Sequence, residues 1–175
     1  MARLNYHRLG DSMLAGAMPF RADHVEALHG EGVTAVVNLC QEREYWDGER
    51  ELVLGAYAAH GITEHHLPVI DGSTVPPEIL DQAVEIARSN TVYVHCRGGR
   101  ERSATVAIAV ISTLEDLEID DALKQAKSRR PIFQPLPGRS AACTPGSRNC
   151  GVCSEIQAVM PIRKQEWHKP TRNNR

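Results

Sequence analysis

No stretch of this 175-residue sequence approaches the ~20 consecutive apolar residues that a membrane helix needs. Met1 to Gly10 is polar and aromatic and lacks the apolar run of a secretory signal. Five cysteines, an odd number and widely scattered, make no disulfide framework. A reducing cytoplasm is the expected compartment, and there a reactive thiol stays free. No internal repeat or low-complexity tract precedes Pro131. The net charge of −2 points to no general affinity for nucleic acid, but it hides an asymmetry. Residues 1–138 carry 13 Lys/Arg against 20 Asp/Glu, a net of −7, while residues 139–175 carry a net of +5. The chain reads as an acidic body with a basic tail.

The hydrophobic fraction of 42% allows a core of ordinary size, in one compact domain plus an appendage. Strand and helix signals alternate along the body. Met13 to Ala17 is a short strand candidate, and Val25 to Gly30 has helical spacing. Val33 to Leu39 is a β-branched apolar run, of the kind that forms a strand buried on both faces. Glu49 to His60 reads as a helix closed by Gly61, and Ile62 to Val69 as a strand. Pro76 and Pro77 start a helix whose apolar stripe runs through Ile79, Leu80, Ala83 and Val84. Thr91 to His95 is a strand that runs directly into Cys96-Arg97-Gly98-Gly99-Arg100-Glu101-Arg102. Ala104 to Leu114 should be a buried helix and Asp120 to Ser128 an amphipathic one. This alternation predicts an α/β domain with helices on both faces of a sheet. Beyond Pro131, prolines mixed with Ser, Gly and Asn argue for extended chain, with a short helix near Ser154 to Met160 and a boundary near residue 138.

The chemistry concentrates after the Thr91–His95 strand. Consecutive backbone N–H groups in a glycine-containing loop form an anion-binding nest, and the following helix adds its positive N-terminus. Arg102 offers a planar fork for two phosphate oxygens. The same field favours thiolate at Cys96, because comparable settings bring cysteine from a pKa of ~8.5 to roughly 3.5–7.5. Ser103 can donate a hydrogen bond to the sulfur. Cys-x5-Arg alone is a loose pattern, which an inert cysteine beside a solvated basic turn also satisfies. The preceding strand, the two glycines and the apolar helix make it specific.

VHCRGGRERSATV resembles the signature loop of the dual-specificity branch of the protein tyrosine phosphatase superfamily. MLAGAMPF and GVTAVVNLCQEREYW are similar to the front half of that domain, and SRRPIFQP to the segment after its signature helix. Within the branch the sequence looks nearest the phosphatidylglycerophosphate-phosphatase type. The basic residue after Cys96 and the cluster Glu42, Glu44 and Tyr45 carry that likeness.

The resemblance implies a single α/β domain of cysteine-phosphatase fold, with a mostly parallel sheet of four to five strands, over residues 1–138. It implies hydrolysis of phosphate monoesters through a phosphocysteine, without metal or cofactor. Cys96 would attack and Ser103 would help it leave. Arg97, Gly98, Gly99, Arg100, Glu101 and Arg102 would surround the phosphate, and His95 would shape the loop through hydrogen bonds. The leaving group needs a proton from outside the loop. The family places that acid on an upstream turn, matched by Asp71, although Asp-Gly is also an ordinary turn. Asp47 and Glu44 are substitutes for the acid, and Glu42 and Glu44 are candidates for shaping the entrance.

Substrates expected on this reading are phosphorylated proteins, with phospholipids as the alternative and weak membrane contact through the basic tail as a corollary. A non-catalytic phosphate-reading module is the alternative from another class, but such modules typically lose the cysteine or the arginine. Cys40, ending a central strand, is read as buried packing, with a disulfide to Cys96 on oxidation as the other option. Cys143, Cys150, Cys153 and His168 are a weak zinc pattern. Oligomeric state leaves no signal in the sequence.

Overall fold

The computed structural model describes residues 3–135. The proposed tail helix, the candidate zinc ligands and the basic tail lie outside the described residues. Five strands form one sheet: β1 (Tyr6–Arg8), β2 (Met13–Ala17), β3 (Ala35–Asn38), β4 (Thr63–His66) and β5 (Val92–Cys96). Their order is β1-β2-β5-β3-β4, with every pair parallel except the edge pair β1–β2. The helices are α1 (Ala22–Gly30), α2 (Glu49–Ala59), α3 (Pro77–Arg88), α4 (Arg102–Leu114) and α5 (Ile119–Arg129).

Strand alternation sorts side chains between two cores. Met13, Ala15, Val37, Val92, Val94 and Cys96 pack beneath α3, α4 and α5. Leu14, Val36 and Tyr93 pack with Val25 and Leu28 of α1 and Val53 and Tyr57 of α2. Helix α4 is buried from Arg102 to Ser112, as its almost unbroken apolar sequence requires. Each fully buried branched residue there, Ile108 for example, adds roughly 2 kcal/mol.

Two sequence expectations are corrected. Strand β4 ends at His66 rather than Val69. Leu67 and Val69 still donate to the carbonyls of Asn38 and Leu39, but these donors are two residues apart and their acceptors only one, so the parallel register is lost. Strand β1 was not foreseen, because three polar residues at an edge carry no apolar alternation; the sheet therefore has the upper number of expected strands.

Candidate active site

The central strand β5 lies between β2 and β3, so its carboxyl end opens at the edge of the parallel sheet where α/β proteins bind ligands. Cys96 is its last residue, buried beside α4. Gly99 in the following turn has φ +64°, and a Cβ there would overlap the Gly16 carbonyl and the Ala17 nitrogen. Glycine is the residue that lets the loop lie against β2. Gly98 has no such constraint, since an added Cβ would meet only the Arg100 side chain, at 3.9 Å.

The Ser103 hydroxyl is 3.5 Å from the Cys96 sulfur. Burial pushes the Cys96 thiol up, but the Ser103 hydroxyl, the Ser103 and Arg100 backbone N–H groups and the Arg102 charge more than offset it. The net shift is downward, toward thiolate.

Arg102, at the start of α4, is 1% exposed. Its Nη1 donates to the carbonyls of Leu39 at 3.1 Å and Val69 at 2.9 Å. Glu44 accepts from Nη1 at 2.7 Å and from Nη2 at 2.8 Å. The Asp71 Oδ1 lies 3.0 Å from Nη2, although its side chain is 70% exposed. The Arg102 Nε is buried without a partner among the described residues, a donor left for an anion.

Asp71 thus stands at the mouth, on a turn between β4 and α3 that Gly72 makes with φ +76°. Glu44, a candidate both for the entrance and for a substitute acid, sits against Arg102. Burial pushes its carboxyl up, yet hydrogen bonds from Arg102 and the Gln41 N–H bring it below the usual carboxylate range. It stays ionised, which removes it as a substitute acid; it holds the arginine instead. The signal for this was the acidic cluster after β3, but its partner lies 58 residues away.

His95 faces the opposite side of the sheet from Cys96, with its ring stacked on Tyr93 at 5.7 Å. Burial, helped by Arg50 and Arg102, pushes it down to about 3, so the ring is neutral. Its Nδ1 lies 4.0 Å from the Cys40 sulfur and Nε2 has no partner among the described residues, while the Cys96 backbone partly opposes the downward shift. Cys40 is a buried free thiol that burial pushes far above the usual range, as packing requires.

Arg97 and Arg100 turn outward. Arg97 donates to the Glu44 carbonyl and stacks over Trp46 at 6.0 Å, while Arg100 donates to Gln134 Oε1 at 2.9 Å. The Arg97 and Arg100 side chains therefore sit on the rim of the loop. Glu101 precedes α4, and its carbonyl accepts from Thr105 N–H at 3.0 Å. Among the described residues no group of three His, Cys, Asp or Glu side chains is placed to hold a metal.

A thiol in a backbone nest at the end of a central parallel strand, with an arginine opening the next helix, defines the cysteine-dependent phosphatases of the protein tyrosine phosphatase superfamily. The chain belongs to the polymorphic toxin system, DSP-PTPase phosphatase family, whose model matches residues 12–114. It is 26% identical over 143 residues to human phosphatidylglycerophosphatase and protein-tyrosine phosphatase 1, covering 77% of this chain and 69% of that protein. Human dual specificity phosphatase 28 is 29% identical, covering 74% and 67%. Arabidopsis thaliana phosphatidylglycerophosphate phosphatase PTPMT2 is 31% identical, covering 72% of this chain and 55% of its own length. The fold is shared with a crystal structure of PTPMT1 at a TM-score of 0.70 and 22% identity, over 88% of this chain and 92% of that one. The chain is a phosphoric monoester hydrolase of the dual-specificity type.

Proposed function

We propose that Cys96 attacks the phosphorus of phosphotyrosine, phosphoserine or phosphothreonine in proteins, with Arg102 and the loop amides holding the equatorial oxygens. The sulfur–phosphorus bond forms as the ester oxygen–phosphorus bond breaks, and Asp71 gives its proton to the departing oxygen. The resulting Asp71 carboxylate then takes a proton from water, whose oxygen attacks the phosphocysteine. Inorganic phosphate leaves and Cys96 returns as thiolate, stabilised by the Ser103 hydroxyl. The observation that carries this reading is the 3.0 Å approach of Asp71 to Arg102, above the loop where Ser103 lies 3.5 Å from Cys96. A reducing cytoplasm suits an enzyme whose thiol must stay free.

A phospholipid reading is favoured by the rim. Trp46, 72% exposed, lies under the Arg97 guanidinium, and Ile70, 59% exposed, adjoins Asp71. Phe20 and Ile132, each two residues from a backbone N–H that bonds the loop, are also exposed. Apolar side chains beside arginines suit a phosphate presented at an anionic lipid surface.

Purified protein and its Cys96→Ser variant should be compared on p-nitrophenyl phosphate with a chelator present. Chelator-resistant turnover, lost in the variant, supports the thiol mechanism; a folded wild type that releases no phosphate overturns it. Phosphopeptides against phosphatidylglycerophosphate in vesicles then separate the two substrate readings.

A further inference from the structure

Arg130, just beyond α5, is completely buried, yet no carboxylate pairs with it among the described residues. Its Nε donates to the Gly99 carbonyl at 3.0 Å. Its Nη1 donates to Asn5 Oδ1 at 2.8 Å and meets His7 Nδ1 at 2.8 Å, while the guanidinium lies 5.6 Å from the Phe133 ring centroid. An arginine buried without a counter-charge is costly, and a fold that keeps one ordinarily uses it.

The peptide it grips is informative. Gly99 C=O and Arg100 N–H belong to one trans peptide unit, so they point in opposite directions. Drawing the carbonyl outward toward Arg130 turns the Arg100 N–H inward, on the side of the Cys96 sulfur whose pKa it helps to lower. The same arrangement recurs on both sides. Met18 N–H holds the Arg97 carbonyl at 3.2 Å, and Gln134 N–H holds the Arg100 carbonyl at 2.8 Å. Three carbonyls pinned outward leave the N–H groups of Gly98, Arg100 and Glu101 facing into the loop. Of the three anchors, Arg130 alone is a charged side chain.

We propose that Arg130 is a positioning residue for the phosphate-binding loop, aiming the Arg100 N–H at Cys96 and supplying a second cation beneath the nest. The role rests on reading Cys96 as the nucleophile, but it can be measured without turnover. Burial lowers the pKa of Arg130, and Cys96 opposes the shift, in keeping with the thiolate as its distant counter-charge. Lysine would keep the charge but could not reach Gly99 and Asn5 together.

The test is the pH dependence of iodoacetamide alkylation at Cys96, read by mass spectrometry, alongside inhibition by inorganic phosphate. In folded Arg130→Met the alkylation midpoint should move upward and phosphate should inhibit at least tenfold more weakly. A kcat/KM loss of about 10²-fold, the scale of one oxyanion donor, should accompany this. Arg130→Lys should recover part of the alkylation shift and little of the phosphate affinity. Asn5→Ala, which removes one support of Arg130 at the surface, should move both readouts the same way by a smaller factor. A folded Arg130→Met with wild-type alkylation and phosphate inhibition overturns the proposal. If Arg130→Met does not fold, an Asn5→Ala variant with both readouts unmoved overturns it instead. Failure of wild type to turn over any phosphate ester, with Cys96 alkylation still shifted by Arg130→Met, sinks the nucleophile reading and leaves the loop-positioning role standing.

Discussion

Glu44 grips Arg102 with both carboxylate oxygens, at 2.7 and 2.8 Å, and so fixes the plane of the guanidinium that faces the loop. Gln41 in turn fixes Glu44, donating its N–H to Oε1 at 2.8 Å. A bidentate clamp of this kind sets geometry as well as charge. Glu44→Gln retains one acceptor and loses the charge, so KM for p-nitrophenyl phosphate should rise, with kcat/KM falling about tenfold, the scale of one charge-assisted hydrogen bond. Stability should fall by about 2 kcal/mol, because buried Arg102 loses its bidentate carboxylate and keeps only carbonyl partners and the largely exposed Asp71. Steady-state kinetics and thermal melting of the variant check both numbers.

The Glu44 clamp also predicts acid sensitivity. Its folded-state carboxyl is held below its unfolded value, so its contribution is fully present above the unfolded pKa and is lost as pH falls through the folded one. Chemical denaturation between pH 7 and pH 3 should show wild type losing more stability than Glu44→Gln. Equal slopes would remove this carboxylate from the account.

Cys96 has the same sign. Its pKa is depressed in the fold, so its thiolate contributes stability above the unfolded thiol value of ~8.5 and loses it as pH falls through the folded value. Alkylation of Cys96 should therefore have its midpoint below that of a free thiol. Ser103→Ala, which removes the hydroxyl 3.5 Å away, should raise the midpoint and slow breakdown of the phosphocysteine, seen as a burst of nitrophenolate.

Two adjacent glycines should respond oppositely to alanine. Gly99→Ala combines a left-handed residue, worth about 1–2 kcal/mol, with overlap against the β2 backbone. Activity and melting temperature should both drop sharply. Gly98→Ala meets only the flexible Arg100 side chain and should keep activity within a few fold.

Asp71→Asn keeps the turn while removing the proton. The loss should be about 10²-fold or more for an alkyl or seryl phosphate, whose leaving oxygen is basic, and smaller for p-nitrophenyl phosphate. Rates falling equally for both leaving groups would count against Asp71 as the acid.

Most of the fold was readable from local pattern. The apolar runs before Leu39 and His95, the stripe from Ile79 to Val84 and the apolar helix after Arg102 became β3, β5, α3 and α4. Strand β1 was not, because its three residues owe their conformation to pairing with Leu14, Ala15 and Gly16 rather than to any periodicity of their own. The outward course of Arg97 and Arg100 was equally hidden. Both arginines are chemically suited to phosphate, and only their contacts with the Glu44 carbonyl and Gln134 send them to the rim.

The sequence by itself determined the strand–loop–helix order around Cys96, the glycines in the turn, and the thiol, hydroxyl and arginine that the loop brings together, since all lie within eight consecutive residues. Tertiary structure alone decided that Glu44 holds Arg102 and that Arg130 holds Gly99. Those partners are 58 and 31 residues apart, and only the closing of helices and loops over the sheet brings them within hydrogen-bonding distance, in a buried setting where such bonds are strong.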